Sequence, residues 1–293
     1  MGNFSLLNRV KNEYQKNHHI FIPGNIMKDI LLELGAEPSD FAKLESVSAH
    51  LLSDPTLPFR QSKAGRFCFN FDDAKIERIE FQPFVLSTED EFIRHDSGKI
   101  RHFRGIGDDL QLNTVFQALI KAKAYLIEGV TVIPRTKLNQ ASNQHLCTVF
   151  NLRTTTSPTI IGEPTSEGVH SDGCDHTMTI FLGSNNIADD SAKTFIHDMK
   201  QTTGLKHNDI NKDLIVTEFQ HKNFLDTLLF ADNEKKHSLT PVIAKDKTKN
   251  STRDMLILLT RKPLKKEHIH YKYDSFNSHM EVPLRINMIG GIN

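Results

Sequence analysis

The residues able to do chemistry gather in one stretch of this 293-residue chain, Gly162-Glu163-Pro164-Thr165-Ser166-Glu167-Gly168-Val169-His170-Ser171-Asp172-Gly173. It sets an imidazole and a carboxylate two positions apart, where an apolar strand is expected to begin. Extended chain sends residues i and i+2 to the same face, so His170 and Asp172 can reach one metal ion from the same side. A third ligand must come from elsewhere. His237, in Lys236-His237-Ser238-Leu239-Thr240-Pro241, is the best candidate, with His197, His207 and His221 as rivals. Two histidines and a carboxylate on one face of an octahedral ion leave three positions open, the ligand set of non-haem ferrous centres. The same donors also serve catalytic zinc, and a non-catalytic cupin-like domain could use them to hold a metal or small carboxylate.

These side chains need a frame. Residues 1–60 read as helical: Ile26 to Leu34 carries apolar residues at helical spacing and Gly35 stops it, while Ser39-Asp40-Phe41 opens a second helix running towards Leu52. Phe67–Phe71 and Ile79–Phe81 alternate as strands do. Residues 87–107 are charged and lack apolar periodicity, which predicts a long loop of the kind that often forms a lid. The clearest helix is Asp108–Leu126, with Leu112, Val115, Phe116, Leu119 and Ile120 along one stripe. Beyond residue 129, short strands are expected at Val130–Ile133, Leu146–Leu152, Val169–Phe181, Leu214–Phe219, Leu225–Phe230, Ser238–Ile243 and Met255–Thr260. That spacing predicts a double-sheet β core behind a helical N-terminal portion.

Composition bounds the partners. Lys+Arg and Asp+Glu are both 36, so no net field would gather nucleic acid or an anionic membrane surface, and a small-molecule substrate fits better. Three cysteines without CxxC spacing imply free thiols and a reducing compartment. No apolar run resembles a signal peptide or membrane span, so a cytoplasmic location is expected.

Three blocks in order resemble the 2-oxoglutarate/Fe(II)-dependent hydroxylases of free amino acids, the isoleucine 4-hydroxylase-like group. They are Val149-Phe150-Asn151-Leu152-Arg153, the 162–173 segment, and Asp226–Asp232 leading to His237-Ser238-Leu239-Thr240-Pro241-Val242. The resemblance implies a mainly β fold with a double-stranded β-helix (jelly-roll or cupin-like) core. The chain would form a single dioxygenase domain: residues 1–128 as largely helical support, 129–262 as the β-helix and 263–293 as a C-terminal extension. It implies Fe(2+) held by His170, Asp172 and His237, and the cosubstrate 2-oxoglutarate held by Arg253, 16 residues past His237. A guanidinium fork suits that carboxylate. The implied substrate is a free aliphatic L-amino acid or a similar small molecule.

The sequence departs from the family pattern in three places. Asn185-Asn186-Ile187 lacks the usual glycine pair, Ser166 replaces a proline, and Asn151 stands where a polar aromatic is usual. All three are expected to flank the pocket.

Other residues carry weaker signals. Arg153 and Glu167 are candidates for substrate contact, although a solvated or salt-bridged arginine and a turn-stabilising glutamate explain them as well. Cys174 reads as a small buried hydrophobe. His18-His19 and His268-x-His270 have ligand-like spacing but no acidic company in sequence, so exposed histidines explain them best. The basic run Arg261–Lys266 reads as a solvated surface segment.

Overall fold

A computed structural model describes residues 4–86, 90 and 92–290 of the chain. Its centre is an antiparallel pair, β5 (Gln144–Thr156) and β11 (Ser251–Arg261), held in register from Leu146 opposite Arg261 to Thr156 opposite Ser251. Alternation along β11 gives it two different faces. Leu256 and Leu258 enter the main apolar core, while Arg253, Met255, Ile257 and Leu259 line a cleft on the other side.

β3 (Arg60–Asn70), β4 (Lys75–Ile79) and β12 (Arg285–Asn287) extend the sheet beyond β5. β6 (His176–Asn185), β9 (Thr227–Ala231) and β1 (His19–Ile22) extend it beyond β11. With β2 (Leu52–Ser53) on β3, nine strands form one antiparallel sheet. A second sheet holds β10 (Lys236–Leu239), β7 (Thr194–His197) and β8 (Ile215–Phe219) in that order. Bridges between Gly162 and Val242, and between His170 and His237, lay the 162–170 segment along the free side of β10. Two antiparallel sheets around a cleft make the jelly-roll, double-stranded β-helix expected from the sequence.

Helices cover the outer face of the large sheet. α1 (Ser5–Asn17) buries Leu7, Val10 and Tyr14, spaced three and four apart. α2 (Gly24–Glu33) and α3 (Asp40–Glu45) lead on to a short 3-10 turn at Val47–His50, so the second expected helix is broken. Asp108–Leu126 is also two helices, α4 (Asp108–Gln111) and α5 (Thr114–Ile127). The break has a cause. Asn113 accepts from the amides of Val115 and Phe116 at 3.0 and 3.2 Å, which starts a new helix and leaves Leu112 exposed.

Further differences follow from tertiary pairing. Residues 130–133 form no strand, and the strand expected from Val169 starts only at His176. The N-terminal region also contributes β1, β3 and β4 to the large sheet, and the C-terminal segment adds β12. His268 and His270 are buried rather than exposed, with His268 Nε2 3.5 Å from Asp90; His18 pairs with Glu234. Arg261 forms an ion pair with Asp274 at 2.6 Å. All three cysteines are buried and free. Among the described residues no helix is long and apolar enough to cross a membrane.

Asn113 also donates its side-chain amide to the Asp40 carbonyl at 2.9 Å, tying α5 to α3. Asn113→Ala should therefore lower unfolding free energy by about 1–2 kcal/mol in chemical denaturation. Asn113→Asp, which keeps the cap acceptor but not the donor, should lose less.

Candidate metal centre and its cavity

The local path of residues 167–173 determines where the metal-binding groups stand. Gly168 has φ +81°, and a Cβ there would lie 2.4 Å from the Leu205 carbonyl oxygen, so only glycine fits. The two bridge hydrogen bonds, His170 N to His237 O at 3.0 Å and the reverse at 2.9 Å, then bring the two rings together with centroids 4.2 Å apart.

Asp172 closes the group. One oxygen lies 3.4 Å from His170 Nε2 and the other 3.8 Å from His237 Nε2. One donor atom from each of the three side chains falls within 4.8 Å of the other two. Donors in adjacent positions about 2.1 Å from one ion stand about 3 Å apart, and the two imidazole–carboxylate contacts exceed that spacing by less than an ångström. The sequence-predicted set is thus assembled. His197 instead bonds Ser238 Oγ at 2.9 Å, and His221 meets Thr179 Oγ1 at 3.2 Å.

The protonation pattern favours a cation. Burial and the adjacent His170 push His237 down to about 3, leaving a neutral ring. For His170 burial acts the same way, but the Glu167 and Asp172 carboxylates outweigh it and hold the ring up to about 9; a metal ion would take the place of that proton. Burial disfavours the Asp172 anion, yet the protonated His170 and a hydrogen bond from Thr177 hold its carboxyl below the usual range. His170 Nδ1 faces the Gly168 carbonyl at 2.9 Å, which fixes Nδ1–H as donor and leaves Nε2, turned towards Asp172, as the atom that would take a metal.

Asp232, just past β9, is the residue the sequence did not mark. Its carboxylate accepts the Asp172 amide at 2.9 Å on both oxygens and the Cys174 amide at 3.3 Å, and it pairs with Arg135 at 2.8 Å. Burial and the Asp172 charge raise its carboxyl to about 7, while Arg135 and the amide bonds favour its anion. Thr177 Oγ1 adds a hydrogen bond to Asp172 at 2.9 Å.

The triad opens into a cleft of about 890 Å3, counting its open mouth, which is within the range of small-molecule sites. Arg253 sits in its wall, 5% exposed. Its Nη2 is buried without a hydrogen bond, and among the described residues no carboxylate pairs with it; burial lowers it to about 10. Glu167 also lines the cleft, its Oε1 3.2 Å from His170 Nε2.

Arg153 does not line the cleft. On β5 it alternates with the lining residues Phe150 and Leu152, so it faces the other way, and it forks onto Asp254 with two bonds of 2.7 Å. Asn151 shares that outer face, where it accepts from Ser48 at 2.7 Å, so it does not flank the pocket either. The 87–107 region supplies Phe92, Arg94, Arg101 and Phe103 to the cleft; residues 87–89 and 91 lie outside the described residues.

A jelly-roll carrying a two-histidine, one-carboxylate cluster beside a buried arginine defines a class of oxygenase. Residues 45–259 match the 2OG-Fe dioxygenase family, and the chain belongs to it: non-haem iron oxygenases that use Fe(II) and 2-oxoglutarate. Among curated proteins, the chain is 47% identical over 277 residues to the bifunctional enzyme flvA of Aspergillus flavus. The match covers 94% of the chain but 34% of that relative, so the chain spans about a third of its length. Among solved structures it resembles the Fe(II)/α-ketoglutarate-dependent dioxygenase TqaL, with a TM-score of 0.84 and 43% identity over 97% of this chain and 95% of that one. IDO from Bacillus thuringiensis shares the fold, with a TM-score of 0.65 and 16% identity over 87% of this chain and 99% of that one.

Asp232→Asn would put an amide where Arg135 and two backbone N–H groups need an acceptor. Metal affinity should fall by about 10- to 100-fold in a Mn(II) titration, with a smaller change in the melting temperature of the apoprotein. Wild-type affinity in that variant would show that Asp172 holds its position without it.

Proposed function

We propose that this chain hydroxylates an unactivated C–H bond of a free aliphatic L-amino acid, with Fe(II) held by His170, Asp172 and His237 and 2-oxoglutarate by Arg253. The observation that carries the reading is Arg253: a buried guanidinium without an anionic partner among the described residues, in the same cleft as the triad. A buried arginine normally has a partner, and a ligand carboxylate would supply one. His221, which burial and Arg253 hold down to about 3, stands neutral beside it and does not compete for that carboxylate.

Bound together, Fe(II) and 2-oxoglutarate supply oxygen-dependent oxidative decarboxylation, releasing succinate and carbon dioxide and providing the oxidising power for C–H cleavage. The protein orients the reactants and keeps water out. Phe84, Phe103 and Phe150 form an edge-to-face cluster with centroids 4.9 to 6.2 Å apart, a dry wall suited to an aliphatic side chain. Phe92 packs edge-on against His170 at 5.9 Å and shields the triad from the loop side. Arginines and Glu167 on the same cleft offer both signs of charge, which a zwitterion needs.

Anaerobic addition of Fe(II) and 2-oxoglutarate should give a visible charge-transfer band, and His237→Ala should abolish it. Aliphatic L-amino acids should then raise succinate formation above the rate without substrate. If no amino acid does so while the band is present, the substrate class is wrong and the oxygenase assignment stands.

Arg253→Lys exchanges a two-pronged donor for a point charge. It should weaken 2-oxoglutarate about tenfold or more while changing Mn(II) affinity by less than about threefold. Unchanged cosubstrate affinity would remove Arg253 from its role.

A further inference from the structure

We propose that Arg101 is the anchor for the substrate carboxylate, with Glu167 receiving the substrate ammonium. The assignment rests on the amino-acid reading above and adds the residues that would enforce it.

The ionic groups at the loop side of the cleft are not all paired directly with one another. Arg60 has Asp54 at 2.8 Å, backed by a hydrogen bond from Ser62 to the same carboxylate. Arg94 forks onto Asp96, with Nε to Oδ1 at 2.5 Å and Nη2 to Oδ2 at 2.7 Å. Both Asp96 oxygens are thereby engaged. Arg101 is the third cation on this wall, and what remains for it is a contact of 3.2 Å to Asp96 that lacks hydrogen-bond alignment. Its Nε and Nη2 are buried and, among the described residues, without a hydrogen-bond acceptor, and the side chain is 4% exposed. A fork of guanidinium N–H groups buried in a cleft wall matches the two oxygens of a carboxylate.

The position of Arg101 is fixed by aromatic contacts. Its guanidinium lies 5.0 Å from the Phe92 ring and 6.0 Å from the Phe84 ring. The Phe92 ring also packs against His170, so one rigid side chain links the free fork to the metal centre. The Phe84–Arg101 backbone bridge, with hydrogen bonds of 3.0 Å each way, holds the segment in place.

Glu167 completes the zwitterion site. Its side chain is 8% exposed and sits 3.2 Å from His170 Nε2. Once that nitrogen ligates a metal it no longer donates to the carboxylate. Glu167 then keeps Ser166 Oγ at 3.3 Å and Arg94 Nη1 at 3.7 Å. An ammonium entering between the fork of Arg101 and the metal would replace the lost donor. The substrate would thus lie with its polar head against Arg101 and Glu167 and its side chain along the phenylalanine wall.

The test is calorimetric binding to protein loaded with Mn(II) and 2-oxoglutarate. The probes are L-valine, L-leucine and L-isoleucine, together with 3-methylpentanoate, which lacks the amine, and 2-methylbutylamine, which lacks the carboxylate. Arg101→Gln should weaken amino-acid and 3-methylpentanoate binding at least tenfold, and Arg101→Lys should fall between it and wild type. Glu167→Gln should weaken the amino acids and 2-methylbutylamine but leave 3-methylpentanoate within twofold. Melting temperatures identify any variant that fails to fold, and the lysine variant guards against that outcome for the glutamine one. Amino-acid binding by Arg101→Gln within twofold of wild type overturns the anchor and leaves the amino-acid reading intact. Wild-type protein that binds 2-oxoglutarate but neither the amino acids nor 3-methylpentanoate overturns both.

Discussion

The site depends on how Asp232 holds the backbone of the ligand-bearing loop. Residues 171–175 lead from the segment bridged to β10 into β6 of the large sheet, and no strand ladder fixes the turn between them. Asp232 does so by accepting the Asp172 and Cys174 amides, while its own amide donates to the Asp175 carbonyl at 3.0 Å. Arg135 neutralises the buried charge and also donates to the Cys174 carbonyl at 2.8 Å. Loosening any of these would swing Asp172 away from the two histidines, whose own positions are set by the His170–His237 bridge. A buried carboxylate of this kind is costly unless its hydrogen bonds are all made, and here they are.

A second constraint is the division of labour between the two faces of the large sheet. The outer face is covered by helices and largely apolar, with polar groups at Asn151 and at the Arg153–Asp254 pair; against it Lys123 of α5 is buried and donates to the carbonyls of His176 and Leu258. Burial lowers it to about 8. Tyr14 of α1 reaches the same place, bonding His176 Nδ1 at 2.7 Å. The helices therefore grip the start of β6, the strand that follows the ligand loop. The inner face carries the cleft, whose walls hold two buried arginines, Arg253 and Arg101, each with guanidinium nitrogens unbonded among the described residues.

Much of this was legible in the residues. His170, Asp172 and His237 were readable because the metal set requires fixed donor types and one local pair at strand spacing, and the family pattern pointed to Arg253, which lies in the wall of the same cleft. Arg153 was legible only as a charge near the site; its face depends on a strand register that places Phe150 and Leu152 inwards. Asp232 lies 60 residues from the amide it accepts, and no local pattern distinguishes it from any acid ending an apolar strand. The charge of the 87–107 region was visible, but not that Arg94 would satisfy Asp96 and leave Arg101 over. Helix breaks at Asn113 and Val47 were missed because the apolar stripe continues across them while capping and packing do not. His268 and His270 were misread for a related reason: their acidic neighbour, Asp90, is almost 180 residues away.

The central claim is that these three side chains hold one ion with half its coordination open. Anomalous diffraction at the iron edge, from crystals grown anaerobically with Fe(II) and 2-oxoglutarate, tests it most directly. The account predicts one strong peak about 2.1 Å from a nitrogen of His170, a nitrogen of His237 and an oxygen of Asp172, with the cosubstrate's far carboxylate against Arg253. A peak at His268 and His270 instead, or an ion that one of the three side chains does not touch, would contradict it.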